Sequence, residues 1–250
     1  MIVPSWGVPG TGSRRTRLLA LLAVRDGVRH LPGFLRNVAP QVDGIVALDD
    51  GSSDGCAELL ERHDAVIEVL RNPRDRPTWD EVGNHRALIA AALRHAADWI
   101  LCVDADERLE REFRPRAERV IARGRLLGYS AYAVRLRELW DAPTHYRVDG
   151  IWGRKMMARL FRARADHEFD ARSLHGIKAP LQARRSGRFP RADLTIYHLG
   201  MLRPGDREAR RRRYQEADPE RRWQAIGYEY LTDERGLTLR AVARGREFLD

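Results

Sequence analysis

Trp99-Ile100-Leu101-Cys102-Val103-Asp104-Ala105-Asp106-Glu107 is the stretch from which the rest of the chain can be read. Its five leading apolar residues, rich in aromatic and β-branched types, predict a strand buried on both faces, as in a parallel sheet. Acid follows at once, in two aspartates one residue apart and then a glutamate. In open α/β sheets ligands bind beyond the carboxyl ends of the strands, so these carboxylates belong on the functional edge. Hard oxygen ligands with room left for water and a phosphate suit Mg²⁺ or Mn²⁺. A polar turn opening a helix also welcomes acids, so the triplet alone does not separate chemistry from structure.

Working outward, residues 1–17 carry Pro4, Gly7, Pro9, Gly10, Gly12 and Ser13 without apolar periodicity and predict a flexible arm. Leu18–Val24 follows Arg14, Arg15 and Arg17 but is too short for a membrane span and has no small-residue cleavage pattern; it reads as the first strand. Leu31, Phe34, Leu35 and Val38 fall at helical spacing up to Pro40. A second strand over Gly44–Leu48 runs into Asp49-Asp50-Gly51-Ser52-Ser53-Asp54-Gly55, turn and cap residues that open a helix over Ala57–His63. Val66–Leu70 is a third strand, and Asp80 to Ala97 a helix leading into the opening stretch. Strands alternating with helices in this way predict right-handed crossovers and a parallel sheet. Arg25-Asp26, Asp49-Asp50 and Asp104-Asp106 each follow a strand, so all three should share one sheet edge.

Beyond Glu112 a helix is expected to about Arg123, then strands over Ser130–Leu136, Met156–Phe161 and Leu194–His198. From Pro204 helices are expected over Arg207–Ala217, Arg221–Leu231 and Leu237–Phe248. The expected organisation is thus an arm (1–17), an α/β domain (18–202, halves 18–109 and 110–202) and a helical C-terminal segment (203–250).

The chain has 250 residues and a formal charge of +9, from 45 basic against 36 acidic residues, and only Lys155 and Lys178 among the basic ones are lysine. Such a balance favours an anionic partner without choosing among nucleotide, nucleic acid and lipid headgroup. Arginine bias can equally follow from a GC-rich coding sequence. Cys56 and Cys102 fall in a helix and a strand and read as buried thiols of a cytosolic protein. The run Arg203 to Tyr214 interleaves arginines with acids and reads as a solvated helix, with peripheral contact to anionic membrane as the sharper alternative.

A carboxylate at the end of the second strand can accept from a base N–H or a ribose hydroxyl. In the segment Gly83-Asn84-His85-Arg86, Arg86 has a guanidinium fork suited to phosphate. Taken in order, Asp-Asp-Gly-Ser-Ser-Asp-Gly, the Asn-x-Arg helix and Asp-x-Asp-Glu after an apolar strand resemble glycosyltransferase family 2, over roughly Leu18 to Leu109. The resemblance implies a GT-A fold, a Rossmann-like mostly parallel sheet flanked by helices. It also implies inverting transfer of a sugar from a nucleotide-sugar to an acceptor hydroxyl. Asp49 and Asp50 would contact the base, bordered by Val24, Arg25 and Asp26, with Arg86 approaching base or diphosphate. Asp26 stands where many relatives carry Glu. Asp104, Ala105 and Asp106 would serve the ribose, the diphosphate and the metal, Mn²⁺ or Mg²⁺, with Asp106 the more direct ligand. His198, at a strand end, is the candidate to complete the metal site beside Asp104 and Asp106; as a residue between Tyr197 and Leu199 it is equally open to a core role.

The family's base is a carboxylate in the acceptor half, and there the pattern departs. Leu174-His175-Gly176 stands where relatives show His-Glu, and glycine cannot be a base. Asp170 and His175 are the base candidates, with Asp141 and Glu138 behind them. Trp140, Tyr146 and Trp152 are candidates for an acceptor-stacking face or for core packing. The donor expected is a UDP-sugar, with GDP- or dTDP-sugars as alternatives. The acceptor is a saccharide, a lipid-linked or a small molecule, and the setting cytoplasmic or peripheral at the inner face of the membrane. Two other readings are nucleotidyl transfer onto a sugar phosphate and a basic nucleic-acid-binding module. The first wants a Gly-rich basic loop that Arg25-Asp26-Gly27 does not supply. The second is disfavoured by three acidic clusters, which repel a polyanion, and no nucleic acid is expected.

Overall fold

The computed structural model describes residues 15–75, 80–170 and 176–250. Most of the expected N-terminal arm, and the base candidate His175, lie outside the described residues. The elements run β1 (Leu18–Val24), α1 (Leu31–Val38), β2 (Gly44–Asp49), α2 (Cys56–Glu61), β3 (Val66–Arg71), α3 (Glu81–Arg94), β4 (Trp99–Cys102) and β5 (Glu107–Leu109). They continue with α4 (Phe113–Leu126), β6 (Ala131–Trp140), β7 (Ala142–Arg147), β8 (Met156–Arg162), β9 (Arg191–His198), α5 (Pro204–Ala217) and β10 (Leu239–Ala241).

Strand β1 alternates its side chains between two cores. Leu18, Ala20, Leu22 and Val24 enter the larger one with Phe34, Leu35 and Ile121. Leu19 and Leu21 enter the other with Leu88, Ile89 and Ala92 of α3. That two-sided burial is why the strand reads as an unbroken apolar run, each leucine contributing about 1.5–3 kcal/mol of transfer free energy. Strands β3, β2, β1 and β4 pair in parallel in that order, joined by the expected crossover helices. Antiparallel β8 and β6 extend the sheet beyond β4. Strand β9 then runs parallel to β6, and β5 pairs antiparallel with β9, Glu107 opposite His198. This register brings the acids after β4 against the histidine at the end of β9. Helix α3 is started by Asp80, whose carboxylate accepts from the Gly83 amide at 2.8 Å.

The C-terminal expectation needs correction. Only α5 is an α-helix; the Arg221–Leu231 segment holds one 3₁₀ turn, Glu229–Leu231, and the Leu237–Phe248 segment holds β10, paired antiparallel with β7. The reason is local. Asp218 accepts from the amides of Arg222, Trp223 and Gln224, folding the chain into a turn, and Gly227, Gly236 and Gly245 all adopt positive φ. The segment is held by side chains rather than helix: Arg246 pairs with buried Glu110, and Arg108 with Asp250. The stacking-face candidates divide. Trp140 and Trp152 belong to a buried cluster with Met201, Tyr228 and Leu231. Arg147 and Arg207 lie over the Trp140 ring at 4.6 and 4.1 Å, so it is a core residue and not a sugar platform. Tyr146 is half-buried, beneath Arg137.

Candidate active site

The edge formed by the carboxyl ends of β1 and β2 is laced together before any ligand arrives. The Asp50 amide donates to the Val24 carbonyl at 2.8 Å, and Asp49 accepts from the Ser52 amide at 3.1 Å. Asp26, at φ 48°, accepts from the Ser53 amide and hydroxyl at 2.8 and 3.1 Å, while its own amide donates to the Ser52 hydroxyl at 3.0 Å. Gly51 has φ +77°, and a Cβ there would lie 2.7 Å from the Pro73 carbonyl oxygen, so the turn needs glycine. Asp49 and Asp50 are buried, and Asp50 accepts from the Asn72 amide, which also donates to Asn84 at 2.8 Å. Asp49 and Asp50 thus each accept from an amide, and the serine hydroxyls bond to Asp26. Arg25 and Arg86 are exposed. On α3 it is Asn84, two residues earlier and on the other side of the helix, that turns to this site.

The acids after β4 sit among cations. Asp104 Oδ1 receives Lys178 Nζ at 2.7 Å, and its Oδ2 receives Arg159 Nη2 at 3.0 Å. The same Arg159 nitrogen reaches buried Glu107 at 2.9 Å, whose other oxygen accepts the Asp104 amide. Burial would raise the Asp104 carboxyl, but Arg159 and Lys178 together hold it well below its ordinary value. Burial does raise Glu107, against Arg159. Ala105 is buried, its carbonyl taken by Arg108.

Asp106 has different company. Its Oδ2 lies 3.0 Å from His198 Nε2 and 3.7 Å from Arg210 Nη1. His198 Nδ1 faces the carboxylate of Glu138, whose other oxygen receives Lys155. Burial favours neutral His198, yet Glu138 and Asp106 outweigh it and push the imidazole up to about 10. Against the effect of burial, His198 and Arg210 keep Asp106 below the usual carboxylate range.

The base candidate Asp170 is half-buried and accepts the Ile177 amide at 3.3 Å, one residue before Lys178. Of the reserve base candidates, Glu138 is buried in its pairs with His198 and Lys155, and Asp141 is paired with Arg207 at 2.9 Å. Helix α5 is only partly a solvated face: Arg207 is buried against Trp140, and Arg210 turns into the acidic centre.

Comparison with known proteins agrees with this architecture. The sequence profile of glycosyl transferase family 2 matches residues 29–171. The chain belongs to glycosyl transferase family 2. Two curated members of the wider protein set, the uncharacterized proteins Rv3786c of Mycobacterium tuberculosis and Mb3815c of Mycobacterium bovis, are each 34% identical over 111 residues. That match covers 43% of this chain and about a quarter of theirs, 27%. The solved structure of S. aureus TarS 1-349 in complex with UDP superposes with a TM-score of 0.51 at 11% identity, covering 88% of this chain and 70% of that one. The shared fold is the GT-A α/β architecture.

Family 2 membership raises the question of a metal, and the residues present fit one. Among the described residues no group of three or more His, Cys, Asp or Glu is arranged to hold an ion by itself. Asp106 Oδ2 and His198 Nε2 nevertheless lie 3.0 Å apart, the spacing of two adjacent octahedral ligands each about 2.1 Å from an ion. A cradle exists beside them. A Cβ on Gly200 would fall 2.5 Å from Asp106 Oδ2 and 2.8 Å from His198 Nε2, so glycine keeps open the space the two share. Glu138, accepting from His198 Nδ1, leaves Nε2 directed at that space, as carboxylates do behind metal-binding histidines. Asp104, with both oxygens on cations, stands apart from this pair.

Sequence reading missed Asn72, Asn84, Arg159, Lys178 and Arg210, and weighed Glu138 only as a base. One signal was available. In a chain whose basic residues are otherwise arginine, both lysines lie at this centre, Lys178 on Asp104 and Lys155 on Glu138.

Proposed function

We propose that this chain is a metal-dependent, inverting glycosyltransferase that moves a sugar from a nucleotide-sugar to an acceptor hydroxyl. The observation that carries this reading is the convergence of Asp106 and His198 on the space beside Gly200, on the same sheet edge as Asp49 and Asp50. Residues 18–109 serve as the donor half and 110–202 as the acceptor half. Asp49 and Asp50 accept from base or ribose, and Val24 to Asp26 border them. Asp106 and His198 hold Mn²⁺ or Mg²⁺, which when bound stabilises the charge that develops on the departing diphosphate. Lys178 and Arg159 keep Asp104 ionised, and Lys178 adds positive charge on the leaving-group side. Asp170 or His175 takes the proton of the acceptor hydroxyl as it attacks the anomeric carbon from the face opposite the departing nucleotide.

A UDP-sugar is the proposed donor, in keeping with the UDP carried by TarS. The acceptor class is a saccharide, lipid-linked or small molecule. The two buried, unpaired cysteines support a cytoplasmic setting. No described helix is long and apolar enough to cross a membrane. Exposed Arg212 and Arg213 on α5 are the residues proposed to meet anionic lipid.

Thermal denaturation with UDP, GDP and dTDP, with and without Mn²⁺, tests the reading, because a ligand specific to the folded state raises its stability by mass action. The expected result is a rise with one nucleotide only when Mn²⁺ is present, and no such rise in Asp106→Ala. Equal stabilisation in the presence of a chelator, or an Asp106→Ala protein with full turnover, overturns the metal role.

A further inference from the structure

Among the described residues, Arg210 is the cation that enters the space shared by Asp106 and His198. It projects from α5, its Nη1 2.8 Å from His198 Nε2 and 3.7 Å from Asp106 Oδ2, and its Nη2 donates to the Tyr214 hydroxyl at 3.0 Å. A Cβ on Gly200 would lie 2.7 Å from that same Nη1, so guanidinium, carboxylate and imidazole all crowd one point.

The three contacts cannot all be satisfied. His198 Nδ1 faces Glu138, which leaves Nε2 to offer either a lone pair or a proton to its other neighbours. That lone pair can accept from Arg210, but it then meets an Asp106 oxygen at 3.0 Å with no proton between them. If Nε2 carries a proton for Asp106 instead, it meets an Arg210 N–H donor at 2.8 Å. Either arrangement leaves one close pair of like groups, which is costly in a buried site. A divalent cation between Asp106 and His198 resolves the conflict, since both then present lone pairs to it. It also expels a positive guanidinium from the same space.

We propose that Arg210 is a built-in counter-cation of the Asp106–His198 pair that gives way to the metal and then binds the donor's diphosphate. The inference rests on the function proposed above and deepens it. In its present position the Arg210 side chain is already a fifth exposed, which gives it a way out, and its fork matches the oxygens of a diphosphate. Metal alone must displace a cation that has nowhere favourable to go. Metal with nucleoside diphosphate supplies that cation with a new partner, so each ligand strengthens the other's binding by the same factor.

Mn²⁺ binding to the full chain, followed by the electron paramagnetic resonance of free Mn²⁺ with and without UDP, reads this coupling directly. Arg210→Gln is expected to bind Mn²⁺ alone about tenfold tighter than the native chain, from loss of a like charge. UDP is expected to tighten Mn²⁺ binding several-fold less in the variant than in the native chain. Arg210→Lys, which keeps the charge but not the fork, is expected to keep weak Mn²⁺ binding and lose the coupling. An Mn²⁺ affinity of Arg210→Gln equal to or weaker than that of the native chain overturns the inference while leaving the metal reading intact. No Mn²⁺ binding by any of the proteins, with UDP present, overturns both. Should Arg210→Gln fail to fold, the ¹⁵N-labelled native chain carries the test. The Arg210 Nε–H resonance is expected to shift on adding Mg²⁺ with UDP, and a stationary resonance counts against displacement.

Discussion

Two acidic pairs end neighbouring parts of one sheet, and they are solved in opposite ways. Asp49 and Asp50 after β2 are buried, Asp49 accepting from the Ser52 backbone amide and Asp50 from the Asn72 side chain. Asp104 and Asp106 after β4 meet Arg159, Lys178, His198 and Arg210. A carboxylate that already accepts from an amide has further lone pairs with which to accept from a hydroxyl or a base N–H. A carboxylate among cations belongs to a cluster in which a change of charge at one member is felt by all the others. On the function proposed above, the first is a recognition end and the second a charge-handling end, and α3 reaches both. Asn84 turns to Asn72 beside Asp50, while the next residue, His85, bonds to the Lys178 carbonyl at 2.8 Å.

The sharpest break in the comparison comes from removing charge at the second end. Asp106→Asn is expected to lower turnover by about a thousandfold or more, with loss of Mn²⁺ binding, because it removes both a ligand and the anion facing His198 and Arg210. Steady-state kinetics and Mn²⁺ titration check it, and near-native turnover would sink the assignment. Gly200→Ala comes next. Its Cβ would sit within 2.5–2.8 Å of Asp106, Arg210 and His198 atoms, so an expected loss of about ten- to a hundredfold in activity should appear with the fold intact by circular dichroism. Unchanged kinetics there would mean that the space is not used.

The contrast between the ends also explains what was legible in the sequence. Strands β1, β2 and β4 announce themselves because two-sided burial demands unbroken apolar runs, and the acids at their ends are conspicuous for following directly. Asp104 and Asp106 look alike in sequence, yet they part because a register between β5 and β9 sets His198 opposite Glu107, a pairing no local pattern encodes. Arg159, Lys178 and Arg210 come from β8, the following loop and α5, far from Asp104 along the chain. Their role depends on tertiary approach alone. The two helices expected after α5 do not form: arginine-rich polar sequence has helical propensity, but Asp218 and three glycines at positive φ impose turns that propensity does not weigh.

A smaller effect joins the two ends through His85. Burial, reinforced by Lys178, lowers its imidazole from 6.5 to about 4. The unfolded chain then binds more protons than the folded one between those values, so stability rises with pH across that window. The contribution is complete above about 6.5 and is lost as pH falls toward 4, on the order of 3 kcal/mol. Denaturant unfolding at pH 7 and pH 4.5 is expected to show this loss, and His85→Asn to show a shallower one despite the other carboxylates titrating. Equal slopes in the two proteins would remove His85 from the account.

The smallest expected effect tests the proposed division between the two ends. Asn72→Ala withdraws the amide that Asp50 and Asn84 share, and leaving a buried acceptor short of a donor costs about 1–3 kcal/mol. Nucleotide affinity should fall with it, since the carboxylate meant to face the base is no longer held in place. Mn²⁺ affinity should not move, because the amide touches none of the residues around Asp106, and independent sites add. If Asn72→Ala weakened Mn²⁺ binding as much as nucleotide binding, the two acidic pairs would form a single electrostatic unit and the division between recognition and charge handling would fail. Isothermal titration of the variant with UDP and with Mn²⁺, each alone and then together, distinguishes the two cases.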